Sequence, residues 1–180
     1  MTKTYETERL LLKTPDLSFA CVITDYYRRN REFLKEWEPA RDDEFYTLEY
    51  QKKQLRKQIL DRRSLSLWIF KKEDLSKTIG YLGFTNIVTG VFLSCFLGYK
   101  LDEMELNKGY MTEAVKKGID IIFEEYGLHR IEANIMPRNK RSLRVVEKLG
   151  FHREGLAYRY LNINGKWEDH VHMVLLNDEK

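Results

Sequence analysis

Apolar residues change their spacing along the chain, and each change marks an element. ERLLLK, residues 8 to 13, is a short apolar run followed by Pro15 and Asp16, which predicts a strand and then a helix start. From Leu17 the spacing turns helical to about Asn30, and REFLKEWEP continues as a short helical piece that Pro39 ends. LEYQKKQLRKQILDRR, residues 48 to 63, sets Leu48, Leu55 and Ile59 on one stripe amid Lys52, Lys53, Arg56, Lys57, Arg62 and Arg63. That pattern predicts an amphipathic helix with a basic outer face.

The period then shortens. LSLWIFKK (65 to 72), KTIGYLGFTNIV (77 to 88) and VFLSCFLGYKL (91 to 101) predict a three-stranded antiparallel meander. TEAVKKGIDIIFEEYG (112 to 127) is helical with Gly127 as its cap, and HRIEANIM (129 to 136) is a strand broken by Pro137. NKRSLRVVEKLG (139 to 150) is a helix with Leu143, Val146 and Leu149 inward. FHREGLAYRYLNI and KWEDHVHMVLL form a hairpin on Asn164-Gly165, the dipeptide whose backbone best fits a tight hairpin turn. The order predicts one mixed α/β (α+β) domain over residues 1 to 180, without linker or internal repeat.

Composition narrows the classes. With 180 residues, 43% of them hydrophobic, the chain suits a single core, and a net charge of +3 does not argue for nucleic acid. Cys21 and Cys95 form no CxxC pair, and His129, His152, His170 and His172 bring no cysteine near in sequence, so no metal cluster is expected. His170 and His172 fall on one face of a strand and read as a structural pair. No apolar run is long enough for a membrane span, and MTKTYETERL is no signal peptide, so a cytoplasmic protein is expected.

LNKGYMTEAV, residues 106 to 115, carries the first chemical signal. A turn running from a strand into a helix leaves the first helical N–H groups unpaired at the positive end of the dipole, which suits an anion. Gly109 allows close approach, Asn107 tolerates positive φ, and Lys108 adds charge. GxxxxGK and GxGxxG are both absent, which makes nucleotide hydrolysis and dehydrogenase chemistry weak readings.

LGYKLDEMELNKGYMTEAV followed by LHRIEANIMPRNKRSLRVVEKLGF resembles the acetyl-CoA-binding core of the GCN5-related N-acetyltransferase (GNAT) superfamily, in its RimJ/RimL branch. NREFLKEWEPARDDEFYT, FTNIVTGVFLSCFLGY and YRYLNINGKWEDHV extend the likeness from about Thr7 to Leu176. The resemblance implies a twisted mixed sheet of about seven strands with about four helices, in which two strands splay into a wedge for acetyl-CoA. Leu97, Gly98, Tyr99 and Leu101 would flank the pantetheine, and Asn107, Lys108, Gly109, Tyr110, Met111 and Thr112 would cradle the pyrophosphate. Leu106 and Met111 depart from the polar and small residues usual there.

Asn139 and Ser142 match the family's NxxS, implying a cofactor contact and a hydroxyl near the sulfur, with Asn139 also fit to be an N-cap. Ser142 is the candidate acid, with the backbone at Leu97 to Tyr99 polarising the carbonyl. Glu132, beside the cofactor, is a candidate base. Trp37, Glu38 and Asp169 are candidates to line the acceptor cleft, although both glutamates also suit structural ion pairs and Trp37 suits the core. The implied acceptor is a protein N-terminal α-amine with alanine or serine, on a ribosomal protein. A small-molecule amine, or a non-catalytic ribosome-associated module using the basic helix, are the alternatives.

Overall fold

A computed structural model describes residues 2–178 of the chain. Strands β1 (Thr4–Glu6) and β2 (Leu10–Lys13) precede helices α1 (Ala20–Arg29), α2 (Arg31–Leu34) and α3 (Leu48–Leu60). The meander β3 (Leu65–Lys71), β4 (Asp74–Val88) and β5 (Ser94–Leu101) follows, then α4 (Tyr110–Glu124), β6 (Arg130–Ile135), α5 (Lys140–Lys148) and the hairpin β7 (His152–Ile163) and β8 (Lys166–Leu176). All the strands form one sheet in the order β1-β2-β3-β4-β5-β6-β8-β7. Every neighbouring pair is antiparallel except β5 and β6, whose parallel pairing needs α4 as its crossover.

The expected elements are present, with additions. β1 makes the sheet eight-stranded instead of about seven; TYE lacks apolar alternation, and its strand exists through pairing of Thr4 with Lys13 and Glu6 with Leu11. The helical piece expected over REFLKEWEP is α2, which stops at Leu34 ahead of Pro39 and brings the helices to five instead of about four. The inward stripe of α3 is also displaced: Leu55 is buried and Leu48 half-buried, but Ile59 is 49% exposed and Gln51 is 2% exposed. α4 stops at Glu124 with Glu125 as its C-cap, ahead of the expected cap at Gly127, which sits at φ +63° and turns the chain so that the Leu128 N–H reaches the Ile122 carbonyl at 3.3 Å.

The sheet is buried on both sides. Along β3, Leu65, Leu67 and Ile69 pack with α4 and α5 residues, whereas the alternate Trp68 and Phe70 pack with Ile23, Tyr26 and Leu55 of α1 and α3. Each fully buried large side chain contributes about 1.5–3 kcal/mol relative to exposure. α4 lies close to the sheet because Gly118 has no side chain: a Cβ there would stand 2.7 Å from Leu82 Cδ2 and 2.8 Å from Phe84 Cε2.

The wedge follows from register. β5 pairs with β6 only at Ser94–Arg130, Cys95–Ile131 and Phe96–Glu132. Beyond Phe96, β5 stays on β4 through Leu101–Gly80, while β6 stays on β8 through Ile135–Val171. The edges facing each other there have no ladder partner among the described residues, and they part.

Candidate active site

The turn into α4 is built for an anion. Asn107 has φ +63° and Gly109 φ +82°, so two left-handed residues aim the chain into the helix, and no side chain caps the Gly109 position. The first N–H groups of α4 therefore remain open to a ligand. Arg9, just before β2, clamps this turn from behind. Its Nη1 donates to the Lys108 carbonyl at 3.0 Å, its Nε donates to Glu113 Oε2 at 2.7 Å, and its guanidinium lies 4.5 Å from the Tyr110 ring centroid. Glu113 Oε1 also accepts from Thr7 Oγ1 at 2.6 Å and from the Arg9 N–H at 2.8 Å. Burial opposes its charge, but those bonds prevail and hold the carboxyl below its ordinary range.

A cleft of about 350 Å³ runs from this turn through the wedge. α5 forms its other wall with Arg141, Arg144 and Lys148, spaced as neighbours on a helix and without an ion-pair partner among the described residues. Three uncompensated cations opposite a bare helix N-terminus suit a ligand with several phosphates, as coenzyme A has. Lys108, by contrast, is paired to Glu105 at 2.8 Å. Met111 is 6% exposed: its side chain joins the core beside the cleft, so its bulk is absorbed by packing. Leu106, half-buried, packs against the same core.

At the wedge, the Ser142 hydroxyl donates to the Tyr99 phenol oxygen at 2.8 Å, and the Tyr99 hydroxyl donates to the Ser142 carbonyl at 2.9 Å, so β5 and α5 are tied across the opening. Burial pushes the Tyr99 phenol well above its ordinary range. Asn139 caps α5, its Oδ1 accepting from the Ser142 N–H at 3.1 Å. Tyr99, Leu101, Asn107, Gly109, Met111, Thr112, Asn139 and Ser142 all line the cleft. Leu97 is buried in the core and Gly98 is exposed with open space around it, so what these two can offer is backbone.

The far end of the cleft is assembled from distant segments. Phe33, Leu34 and Trp37 line the same cleft where it reaches the α1/α3 face. Trp37 carries the Arg138 guanidinium 5.6 Å from its ring centroid, and Arg138 pairs with Glu168 at 3.1 Å. Glu38 is not a free carboxylate: Lys100 Nζ holds it at 2.6 Å. Desolvation would lower the Lys100 pKa, but Tyr27 and Glu38 outweigh it and raise the value, keeping the ammonium charged. The hairpin tip grips this loop: Asn164 Nδ2 donates to the Lys35 carbonyl at 2.9 Å, and its Oδ1 accepts from the Ala40 N–H at 2.6 Å.

Two expected residues are placed elsewhere. Glu132 is 7% exposed at the last paired rung, where Arg130 Nε at 3.0 Å and His172 Nε2 at 2.9 Å hold its two oxygens. Asp169 accepts from the Arg159 N–H at 2.8 Å and stabilises the β7 irregularity where Arg159 has φ +49°. Neither lines the cleft. Conversely, Lys100, Arg141, Arg144, Lys148 and the Arg9 clamp were not singled out from sequence. Only the basic run KRSLR offered a signal. Burial pushes the Cys95 thiol up to about 12, which makes it a poor nucleophile. No group of three or more potential metal ligands occurs among the described residues, and no helix there is long and apolar enough to cross a membrane.

Comparison with known proteins agrees with this geometry. Residues 9–152 match the acetyltransferase (GNAT) domain family. The [ribosomal protein uS5]-alanine N-acetyltransferase of Escherichia coli (strain K12) is 38% identical over 167 residues, covering 92% of this chain and 86% of that protein. The crystal structure of ribosomal-protein-S5-alanine acetyltransferase from Vibrio fischeri superposes with a TM-score of 0.92 at 36% identity, covering 98% of each chain. Mycobacterium smegmatis RimJ, solved with CoA-disulfide, gives a TM-score of 0.86 at 26% identity, covering 99% of this chain and 88% of that one.

Proposed function

The chain belongs to the GNAT acetyltransferase family, and from that premise we propose that it acetylates the N-terminal α-amine of a protein, a ribosomal protein beginning with alanine or serine. One observation carries this: the cleft is continuous from the α4/α5 phosphate wall, through the open edge of β5, to Trp37 and Lys100 on the opposite face of the sheet. Donor and acceptor can therefore meet from two sides. The similarity to uS5-alanine N-acetyltransferases supports the choice of acceptor.

When bound, acetyl-CoA supplies an activated acetyl thioester. The α4 amides from residue 110, with Arg141, Arg144 and Lys148, bind its phosphates. The backbone at Leu97 to Tyr99, paired with β4 on one side, offers N–H groups on its open β6-facing edge to negative charge developing on the acyl oxygen, which is stabilised most by donors already in place. Ser142 Oγ turns its hydrogen from the Tyr99 oxygen to the departing sulfur and regains a proton from the newly acetylated amine through water, while Tyr99, kept neutral by its raised pKa, holds that hydroxyl at the wedge. With Cys95 buried, attack by the amine is direct.

A strong base is unnecessary. An α-amine with a pKa near 8 costs about 1.4 kcal/mol to deprotonate at pH 7, against about 4.6 kcal/mol for lysine. Water suffices for the first, which fits a site where Glu38 and Glu132 are already ion-paired. The test is intact-mass analysis of small-subunit ribosomal proteins after incubation with this protein and acetyl-CoA, with terminal sequencing of the products. One acetyl group on a single N-terminus is expected; modification confined to lysine side chains overturns the proposal.

A further inference from the structure

A second chamber, of about 180 Å³, opens on the α1/α3 face and shares Lys100 with the cleft as a common wall. Its polar lining comes largely from α3. Gln51, Gln54 and Gln58 recur at helical spacing on the side turned to the sheet, where an amphipathic helix ordinarily presents aliphatic residues. Gln51 Nε2 donates to the Phe45 carbonyl at 2.6 Å, and Gln58 Oε1 accepts from Trp68 Nε1 at 3.3 Å. Gln54, half-buried, has no hydrogen-bond partner among the described residues. Arg41 lies 5.1 Å from the Phe45 ring centroid and makes no ion pair there. Tyr27, Phe45 and Trp68 form an aromatic floor, with Tyr27 edge-on to Phe45 at 4.7 Å and to Trp68 at 6.1 Å.

Gln51 and Gln58 each spend one amide atom within the protein, whereas Gln54, half-buried, keeps both of its polar atoms available to water or to a ligand that displaces it. A ligand complementary to these amides carries donors and acceptors in alternation and presents a carbonyl oxygen to Arg41, which describes a peptide main chain. The reach is suitable: an extended peptide advances about 3.3–3.6 Å per residue, so an amine beside Lys100 leaves its next two or three residues in the chamber. We propose that this chamber is a second acceptor subsite, in which Gln54, Gln58 and Arg41 hydrogen-bond the main-chain amides following the terminal amine. The subsite rests on the N-terminal acceptor proposed above, and it selects a peptide over a bare amine.

The experiment compares kcat/KM for alanine amide and for an alanine-initiated tetrapeptide amide, in the native protein and in the Gln54→Leu and Arg41→Ala variants. Thermal melts serve as the folding control. The native protein should favour the tetrapeptide, and each substitution should lower that preference roughly five- to tenfold, as loss of one hydrogen bond of about 1–1.4 kcal/mol would. The change should appear in the acceptor KM. Equal efficiency on both acceptors in the native protein overturns the subsite while leaving the N-terminal acceptor standing, as does a preference unchanged in both folded variants. Turnover of small amines with no acetylation of any peptide overturns both.

Discussion

Ser142 and Tyr99 stand 43 residues apart and are joined by two hydrogen bonds. Ser142→Ala removes the hydroxyl proposed to carry the proton, and kcat should fall roughly 10²-fold, the scale of lost general acid catalysis, while the dissociation constant for acetyl-CoA changes little. Tyr99→Phe removes only the group that positions it, and a smaller loss in kcat is expected. Stopped-time assays with calorimetry of cofactor binding separate the two; an unchanged kcat in Ser142→Ala would remove it as the acid. At this scale the local features were readable. Asn139 as a cap, and Asn107 and Gly109 as left-handed residues, follow from backbone chemistry within a few positions. The Tyr99 contact and the Lys100–Glu38 pair, 62 residues apart in sequence, depend on how strands and loops meet. Glu38 and Glu132 suited structural ion pairs as well as catalysis: Arg130, two residues before Glu132 on the same strand face, was visible in the sequence, whereas Lys100 and His172 reach the two carboxylates from other segments.

Periodicity located most of the elements, yet the position of α4 depends on contacts outside the helix. Its first turn is held by Glu113 against Thr7 and Arg9, and its middle sits on Leu82 and Phe84 through Gly118. Because the Glu113 pKa is lowered on folding, its stabilisation is fully present above the unfolded value near 4.3 and is lost as pH falls through the folded value. Glu113→Gln should therefore be less stable than the native protein by about 1.5–3 kcal/mol at pH 7, the range for hydrogen bonds to a charged group. In denaturant titrations the difference should shrink steadily below about pH 4; a difference independent of pH would rule out the carboxylate as its source. α3 teaches the opposite lesson. Its apolar stripe was expected through Ile59, but the face toward the sheet runs through Gln51 and Gln58, because the space there is a chamber.

For the molecule as a whole, the sheet's single parallel pairing decides where chemistry can occur. β5 and β6 are each bound more extensively to their antiparallel neighbours than to one another, so the sheet opens at the junction its own topology leaves weakest. Sequence likeness anticipated this wedge. β1 could not be seen from its three residues, since its strand is created by β2. The acceptor side is likewise a property of the whole chain: the β7–β8 turn closes on residues 35 to 40, more than 120 residues earlier in sequence.

That closure also sets a chemical lifetime. Asn164 precedes a glycine, the context in which an asparagine side chain is most readily attacked by the next backbone nitrogen and hydrolysed to a carboxylate. The Gly165 N–H is held by Asn162 Oδ1 at 3.0 Å, which restrains the attack while the turn is intact. Once the amide is lost, an oxygen faces the Lys35 carbonyl where a donor had been, and the loop bearing Trp37 and Glu38 keeps only the Ala40 N–H of its two ties to Asn164. Asn164→Asp should raise the acceptor KM several-fold, about the effect of one lost hydrogen bond, and leave acetyl-CoA binding intact. Protein aged at alkaline pH should lose acceptor affinity in step with the growth of its more acidic charge variant. Affinity that stays constant as that variant accumulates would show that the hairpin does not govern the loop. Where affinity falls in step with that variant, the tip of this hairpin is a clock on which the enzyme's selectivity, before its fold, records its age.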